Sequence, residues 1–200
     1  MNRRDFFRYS GVLAGSALLS GLPAPQVAMA GTEDFWSRDR ALWLKRKSTG
    51  EEFYVVFWTD GRLDIDNYIR LCYLLRDVNE HATVQMDVNL LNLFYGIQHW
   101  AQLLRKRDIP LVLHSGFRTD NTNSRTEGAA KFSEHKNGRA GDYILPGFSN
   151  TELANMTSFF NLGGVGLYST HVHGDTGSLF SQKTGLRRQW VVPTHAQTSH

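Results

Sequence analysis

The sequence predicts an α+β fold, and three observations carry that prediction. Helical patterns gather in the N-terminal half. Short strand-like runs gather in the C-terminal half, with few helices between them. Polar, glycine-containing segments separate those runs, so the order of elements does not read as a regular βαβ series.

The leader comes first. Residues 1–30 read MNRRDFFRYSGVLAGSALLSGLPAPQVAMA. Arg3 and Arg4 precede Phe6 and Phe7, an apolar run follows from Gly11 to Leu22, and Ala28-Met29-Ala30 is a small-x-small cleavage site. This is the pattern of a twin-arginine signal peptide. The run is too short to span a hydrocarbon layer of about 30 Å, which argues against a membrane anchor. The expectation is export of the folded protein to the periplasm, with residues 31–200 as one domain. The leader holds three arginines and one aspartate, a net +2 of the chain's +3, so the remainder carries +1. That balance, with no basic stripe, excludes a nucleic-acid binder. No second segment is long and apolar enough for stable membrane insertion.

Trp36 to Lys47 alternates charged and aromatic positions and is expected to form a short helix. Glu51 to Trp58, EEFYVVFW, is rich in β-branched and aromatic residues and reads as a strand. TDGR is a turn. Asp64 or Asp66 caps a helix running to Arg76, and Asp87 opens a longer one. In that second helix Val88, Leu91, Phe94, Tyr95, Gln98, Leu103 and Leu104 follow an i, i+3, i+4 rule, so one face is core; Pro110 ends it. Leu111 to Arg118, LVLHSGFR, is a buried strand entering a turn. Thr119 to Arg139 is polar and should be mostly surface loop. AGDYIL is a short strand, Ser149 with Glu152 makes a capping box for a helix to about Phe160, and GGVGLY is a glycine-punctuated strand. After HVHGDTG comes a polar C-terminal stretch.

Chemistry is concentrated in two segments. Cys72 is the single cysteine, which rules out an intramolecular disulfide and any multi-cysteine zinc site, so a bound metal needs histidine and carboxylate. In HVHGDTG, His171 and His173 are two apart, and in a strand such residues share a face. In SEHKNGRAGDY, His135 and Asp142 are seven apart, with Gly138 and Gly141 between them to let the chain reverse. Together they offer three imidazoles and one carboxylate. Catalytic zinc sites commonly take three protein ligands and leave a place for water, so this set suffices with one histidine to spare for proton transfer.

These residues resemble a known family. SGFRT followed by Asn123, SEHKNGRAGDY, GGVGLY and HVHGDTG followed by Trp190 are similar to the peptidoglycan-cleaving zinc peptidases related to D-alanyl-D-alanine carboxypeptidases, closest to their twin-arginine-exported murein endopeptidase branch. The LLRD of Leu74 to Asp77 and the helix beginning DVNLLNLF fit as well. The resemblance runs from about Phe53 to Trp190. It implies N-terminal helices packed on a small, mostly antiparallel sheet that carries a zinc held by His135, Asp142 and His173. It implies that Arg118 binds a substrate carboxylate or carbonyl oxygen and that Asn123 matches a family asparagine. Two positions depart from the pattern. Thr170 stands where several relatives have a catalytic acid, so His171 is the expected proton carrier; Asp175 is the rival, either as base or as the residue orienting a histidine. Asp120 stands where a proline is expected. His114 is expected to be a satisfied strand histidine.

The function implied is a periplasmic zinc metallopeptidase that hydrolyses peptide bonds in peptidoglycan stem peptides and cross-links. An inactive peptidoglycan-binding or scaffold module that keeps the metal site is the alternative, motivated by Thr170. A metal-trafficking protein fits less well, because the ligands lie in separated, glycine-shaped motifs.

Overall fold

The computed structural model describes residues 35–178 and 188–192; the expected signal peptide lies outside the described residues. The described chain opens on strands. β1 (Arg40–Arg46) pairs antiparallel with β2 (Glu52–Thr59), and β2 with the two-residue β3 (Arg62–Leu63). The turn between β2 and β3 takes Asp60 and Gly61 to φ of 51° and 72°, the left-handed region expected of TDGR. Two helices follow, α1 (Ile65–Leu74) and α2 (Val88–Arg105), then β4 (Leu111–Ser115), a short α3 (Asp120–Arg125) and a 3-10 turn (Glu134–Asn137). Then come β5 (Ala140–Ile144), α4 (Asn150–Phe160), β6 (Val165–Leu167), β7 (Val172–Asp175) and β8 (Gln189–Val191).

Three sequence expectations change. Trp36 to Lys47 holds β1, not a helix. Its burial alternates, with Leu42 and Leu44 inside and Ala41, Trp43 and Lys45 facing out. That period of two is the strand's own, and it is what the alternation of charged and aromatic positions encodes. The N-terminal helices are therefore preceded by a hairpin, and the sheet is larger than expected, with eight strands among the described residues. Thr119 to Arg139 contains α3, capped by the Thr119 hydroxyl, which accepts the Thr122 N–H at 3.1 Å. The stretch after residue 187 adds β8, parallel to β6.

The expected helix caps are met, although Leu104, expected on the core face of the longer helix, is exposed. Asp64 and Asp87 are the caps of α1 and α2, and the Ser149–Glu152 capping box closes in both directions on α4. The helix opened by Asp87 ends at Arg105, before Pro110, with Lys106 left-handed at φ 55°. Five of the seven strand pairings are antiparallel, so the sheet is mostly antiparallel.

The strand order β3-β2-β1-β4-β5-β7-β6-β8 gives the sheet two unlike faces. Leu42, Leu44, Leu111, Leu113, Tyr143 and Val172 point into one core shared with α1, α2 and α4. Trp43, Lys45, Val112, Ile144, Asp142 and His173 follow from the pairings as the opposite face. An antiparallel sheet covered on one side leaves the other free for chemistry. Gly174, on the core side of β7, has no room for a side chain, because the Tyr143 hydroxyl and Thr157 stand against it. That close fit locks β7 to β5 in the register that sets Asp142 beside His173.

Candidate metal centre

His135 sits in the 3-10 turn, which Gly138 closes at φ 66°. Its ring is buried, and Nδ1 stands 2.6 Å from the Gly116 carbonyl oxygen. A carbonyl oxygen only accepts, so Nδ1 carries the proton and Nε2 presents a lone pair. His173, on β7, has its Nε2 3.1 Å from Asp175 Oδ2. The carboxylate accepts the Nε2–H, which leaves the lone pair on Nδ1. Asp142, the register partner of His173 on β5, sends Oδ1 between the two rings.

The three inner atoms converge. His135 Nε2 and His173 Nδ1 are 3.1 Å apart. Asp142 Oδ1 is 3.2 Å from the first and 3.0 Å from the second. All three residues are buried, and they form a group of side chains close enough to share a cation. With both rings neutral and their outer nitrogens bound to acceptors, three lone pairs face one point. Such an arrangement repels itself unless a cation sits among the lone pairs. Ligand atoms about 2.0–2.2 Å from a zinc ion at tetrahedral angles stand about 3.3–3.6 Å apart, so the observed spacing fits within a few tenths of an ångström. Two imidazoles and a carboxylate also suit zinc better than the oxygen-seeking cations.

The electrostatics agree. Burial holds His135 below its ordinary pKa, hence neutral. Burial opposes a proton on His173, but Asp142 and Asp175 outweigh it and raise its pKa. The field that favours a proton there favours a metal cation equally. For Asp142, desolvation is overcome by the two histidines, and its carboxyl stays well below the ordinary range.

Each of the other expected residues has a definite place. Asp175 is fully engaged. Besides His173 it accepts the N–H of Gly164 and of Gly177, each at 2.9 Å, and both guanidinium nitrogens of Arg188, at 3.1 and 2.7 Å. Of its two expected roles, the geometry suits the orienting one. Arg118 is turned inward: its Nη2 pairs with Asp142 Oδ2, and its Nε donates to Ser115 Oγ at 2.9 Å. It grips a metal-ligand candidate, where a contact to substrate was expected. His171 lies on the same face as His173, with Nε2 3.8 Å from Asp142 Oδ1. Its Nδ1 is 2.9 Å from the Thr170 hydroxyl, and its ring stacks on Tyr168 with centroids 4.5 Å apart. Burial holds it below its ordinary pKa. Asn123 is a latch of the α3 loop, donating to the Ala130 carbonyl at 3.0 Å, and does not reach the cluster.

His114 departs from expectation, since its buried Nε2 has no partner. It is the extra residue of a β-bulge: Leu113 pairs with Tyr143 and Ser115 with Asp142, so two residues of β4 face one step of β5. The bulge brings Ser115 to the open face, where it meets Arg118. His114 stands 5.6 Å from His171, ring to ring.

Sequence reasoning missed Ser115, Tyr168, Arg188 and Trp190 as parts of the site. Trp190 lies 5.2 Å from the His173 ring and donates to the Tyr168 hydroxyl at 3.2 Å. The run RQWVV was a legible strand signal. Nothing local marks Arg188 as a partner of Asp175.

Comparison with known proteins adds the family. A probable peptidoglycan L,D-endopeptidase MepK of Haemophilus influenzae is 29% identical over 188 residues, covering 91% of this chain and 96% of the relative. No solved structure matches the chain. A family model described as peptidoglycan L,D-endopeptidase MepK matches residues 36–181, which include all three ligand candidates and His171, and the chain belongs to that family.

Proposed function

We propose that this protein is a periplasmic zinc peptidase that hydrolyses L,D cross-links between peptidoglycan stem peptides. One observation carries the reading: three lone pairs, from His135, Asp142 and His173, aimed at one point with both outer imidazole nitrogens already committed. Membership of a family named for peptidoglycan L,D-endopeptidase activity supplies the substrate class, and the twin-arginine leader supplies the compartment. When bound, zinc supplies Lewis acidity that makes water nucleophilic near neutral pH and polarises a carbonyl.

The chain's own residues do the rest. Asp175 fixes the tautomer of His173, and the Gly116 carbonyl fixes that of His135. Arg118 holds Oδ2 of Asp142 and so leaves Oδ1 to the cluster. His171 takes a proton at Nε2 and returns it to the departing amine. The Thr170 hydroxyl and the Tyr168 ring hold the imidazole in that pose. Thr170 thus orients the base and need not be one. This weakens the inactive-module reading, whose motive was the missing acid at that position.

The test is digestion of purified sacculi and of defined cross-linked muropeptides, with products read by mass spectrometry. The protein should carry about one zinc per chain and release products that vanish with a chelator. His135→Ala and His173→Ala should bind no zinc at the cluster and cleave nothing while keeping their far-UV circular dichroism. Normal cleavage by both variants would rule the proposal out.

A further inference from the structure

A second feature lies at the other end of β4. Strand β4 begins at Leu111, opposite Leu44, so from Arg40 to Trp43 β1 pairs with β2 on one edge and has no strand on the other. Gln98 of α2 fills part of that notch. Its side-chain amide donates to the carbonyls of Trp43 (2.6 Å) and Ile109 (2.8 Å), and its oxygen accepts the Trp43 N–H at 3.2 Å. The backbone is thereby satisfied without a strand, and a cleft of about 180 Å³ stays open.

The walls of this cleft differ in kind. One is aromatic: Trp43 and Tyr54 are register partners with centroids 6.4 Å apart, and Tyr54 is 62% exposed. The other is polar. Gln102 donates to Asp108 at 2.8 Å, Asp39 stands at the rim, and the buried Nε2 of His99 has no partner. An apolar ring face opposed by hydroxyl-sized donors and acceptors suits a ligand with the same two-sided character. A pyranose is such a ligand: its C–H face packs on an aromatic ring while its equatorial hydroxyls and acetamido groups find the polar wall. An organic cation would satisfy the aromatic pair and the two carboxylates. It would leave the Gln102 amide unused, and Arg38 lies close enough to His99 and Tyr95 to oppose positive charge there.

We infer that the Trp43–Tyr54 cleft binds an N-acetylated hexose of a glycan strand, a site separate from the metal cluster. The identity of the glycan rests on the peptidoglycan reading above; the sugar-binding chemistry does not. The placement suits that use. Trp43 shares its sheet face with Asp142 and His173, and cleft and cluster lie at opposite ends of β4, about 13 Å along the strand and two strand spacings across the sheet. A glycan seated in the cleft would present its peptide branch along the face that carries the chemistry.

The experiment uses the full mature protein and a soluble β-1,4-linked N-acetylglucosamine tetramer, which has no peptide and no scissile bond. Titration followed by tryptophan fluorescence and by amide chemical shifts should show saturable binding, with shifts at Trp43, Tyr54 and His99. Tyr54→Ala and Gln102→Ala should each weaken binding by about tenfold. Trp43→Ala, which removes more packing, is checked for folding before use. In activity assays Tyr54→Ala should slow digestion of intact sacculi and leave cleavage of glycan-free cross-linked peptides unchanged. No binding at millimolar sugar, binding untouched by both substitutions, or preferential binding of tetramethylammonium would overturn the inference. Loss of peptide cleavage in the wild type would instead strike the peptidase reading and leave the sugar result standing.

Discussion

His173 and Asp175 stand two residues apart on β7, share one face of the sheet, and meet at 3.1 Å between Nε2 and Oδ2. The strand's period of two therefore delivers both the ligand candidate and the carboxylate that sets its tautomer. Arg188 holds the same carboxylate from the far side, at 2.7 Å. Asp175→Asn keeps the shape but removes the charge that fixes the imidazole. Zinc affinity should fall about 10–100-fold, and activity should return in excess zinc. Competition with a chromogenic chelator measures the first, and a zinc titration of activity the second. Unchanged zinc affinity would show that the contact is only structural.

Arg118 gives a test that separates two roles. Its guanidinium binds Asp142 Oδ2 and Ser115 Oγ. If it serves by positioning Asp142, Arg118→Ala should weaken zinc binding, and excess zinc should restore much of the activity. Arg118→Lys should rescue only partly, because an ammonium cannot hold both partners in one plane. A raised KM with unaltered zinc affinity would return the residue to the substrate-binding role expected from sequence.

The ligands were legible in the sequence because each sits in a compact motif whose spacing has a local meaning. His135 and Asp142 are joined by one glycine-closed turn and the start of a strand, and His173 and Asp175 by one strand that His171 immediately precedes. The helices were legible for the same reason: Asp64, Asp87 and Ser149 are caps that act within three residues. What escaped depends on distant pairing. β1 was misassigned because Arg40 and Arg46, buried at its ends, disguise the alternation that Leu42 and Leu44 establish. Arg40 is accommodated by stacking on Trp58 and by Asn92, and Arg46 by the Leu74 carbonyl; no local pattern shows any of these partners. The same is true of Arg188, which reaches back 13 residues to Asp175.

His171 should separate from the ligands in its behaviour. Its Nε2 faces the cluster at 3.8 Å from Asp142 Oδ1, beyond bonding distance. His171→Ala should lower kcat on cross-linked muropeptides by about 10²–10⁴-fold, with zinc content unchanged. Thr170→Val removes only the hydroxyl that orients the ring and should cost less. Steady-state kinetics beside metal analysis of each variant decides the matter. Loss of zinc from His171→Ala would make it a fourth ligand.

Asp77 ties the scaffold behind the site. Its Oδ1 accepts the N–H of Asn79 at 2.9 Å and of Glu80 at 3.3 Å. Its Oδ2 accepts the N–H of Thr119 at 2.9 Å and its hydroxyl at 3.1 Å. The loop after α1 is thus fastened to the residue that follows Arg118. Burial pushes the carboxyl up, but the Thr122 side chain and the backbone donors of Thr119, Asn79 and Glu80 outweigh it, and the folded pKa lies below its ordinary value. A depressed carboxyl adds stability that is present above the unfolded value of about 3.9 and lost as pH falls through the folded one. Asp77→Asn should therefore cost about 1–3 kcal/mol at neutral pH. The gap between wild type and variant should narrow as the solution is acidified below about pH 4. Urea unfolding of both metal-free proteins at neutral pH and in acid measures it. A gap of the same size in both conditions would mean that shape, and not the charge of Asp77, holds the loop.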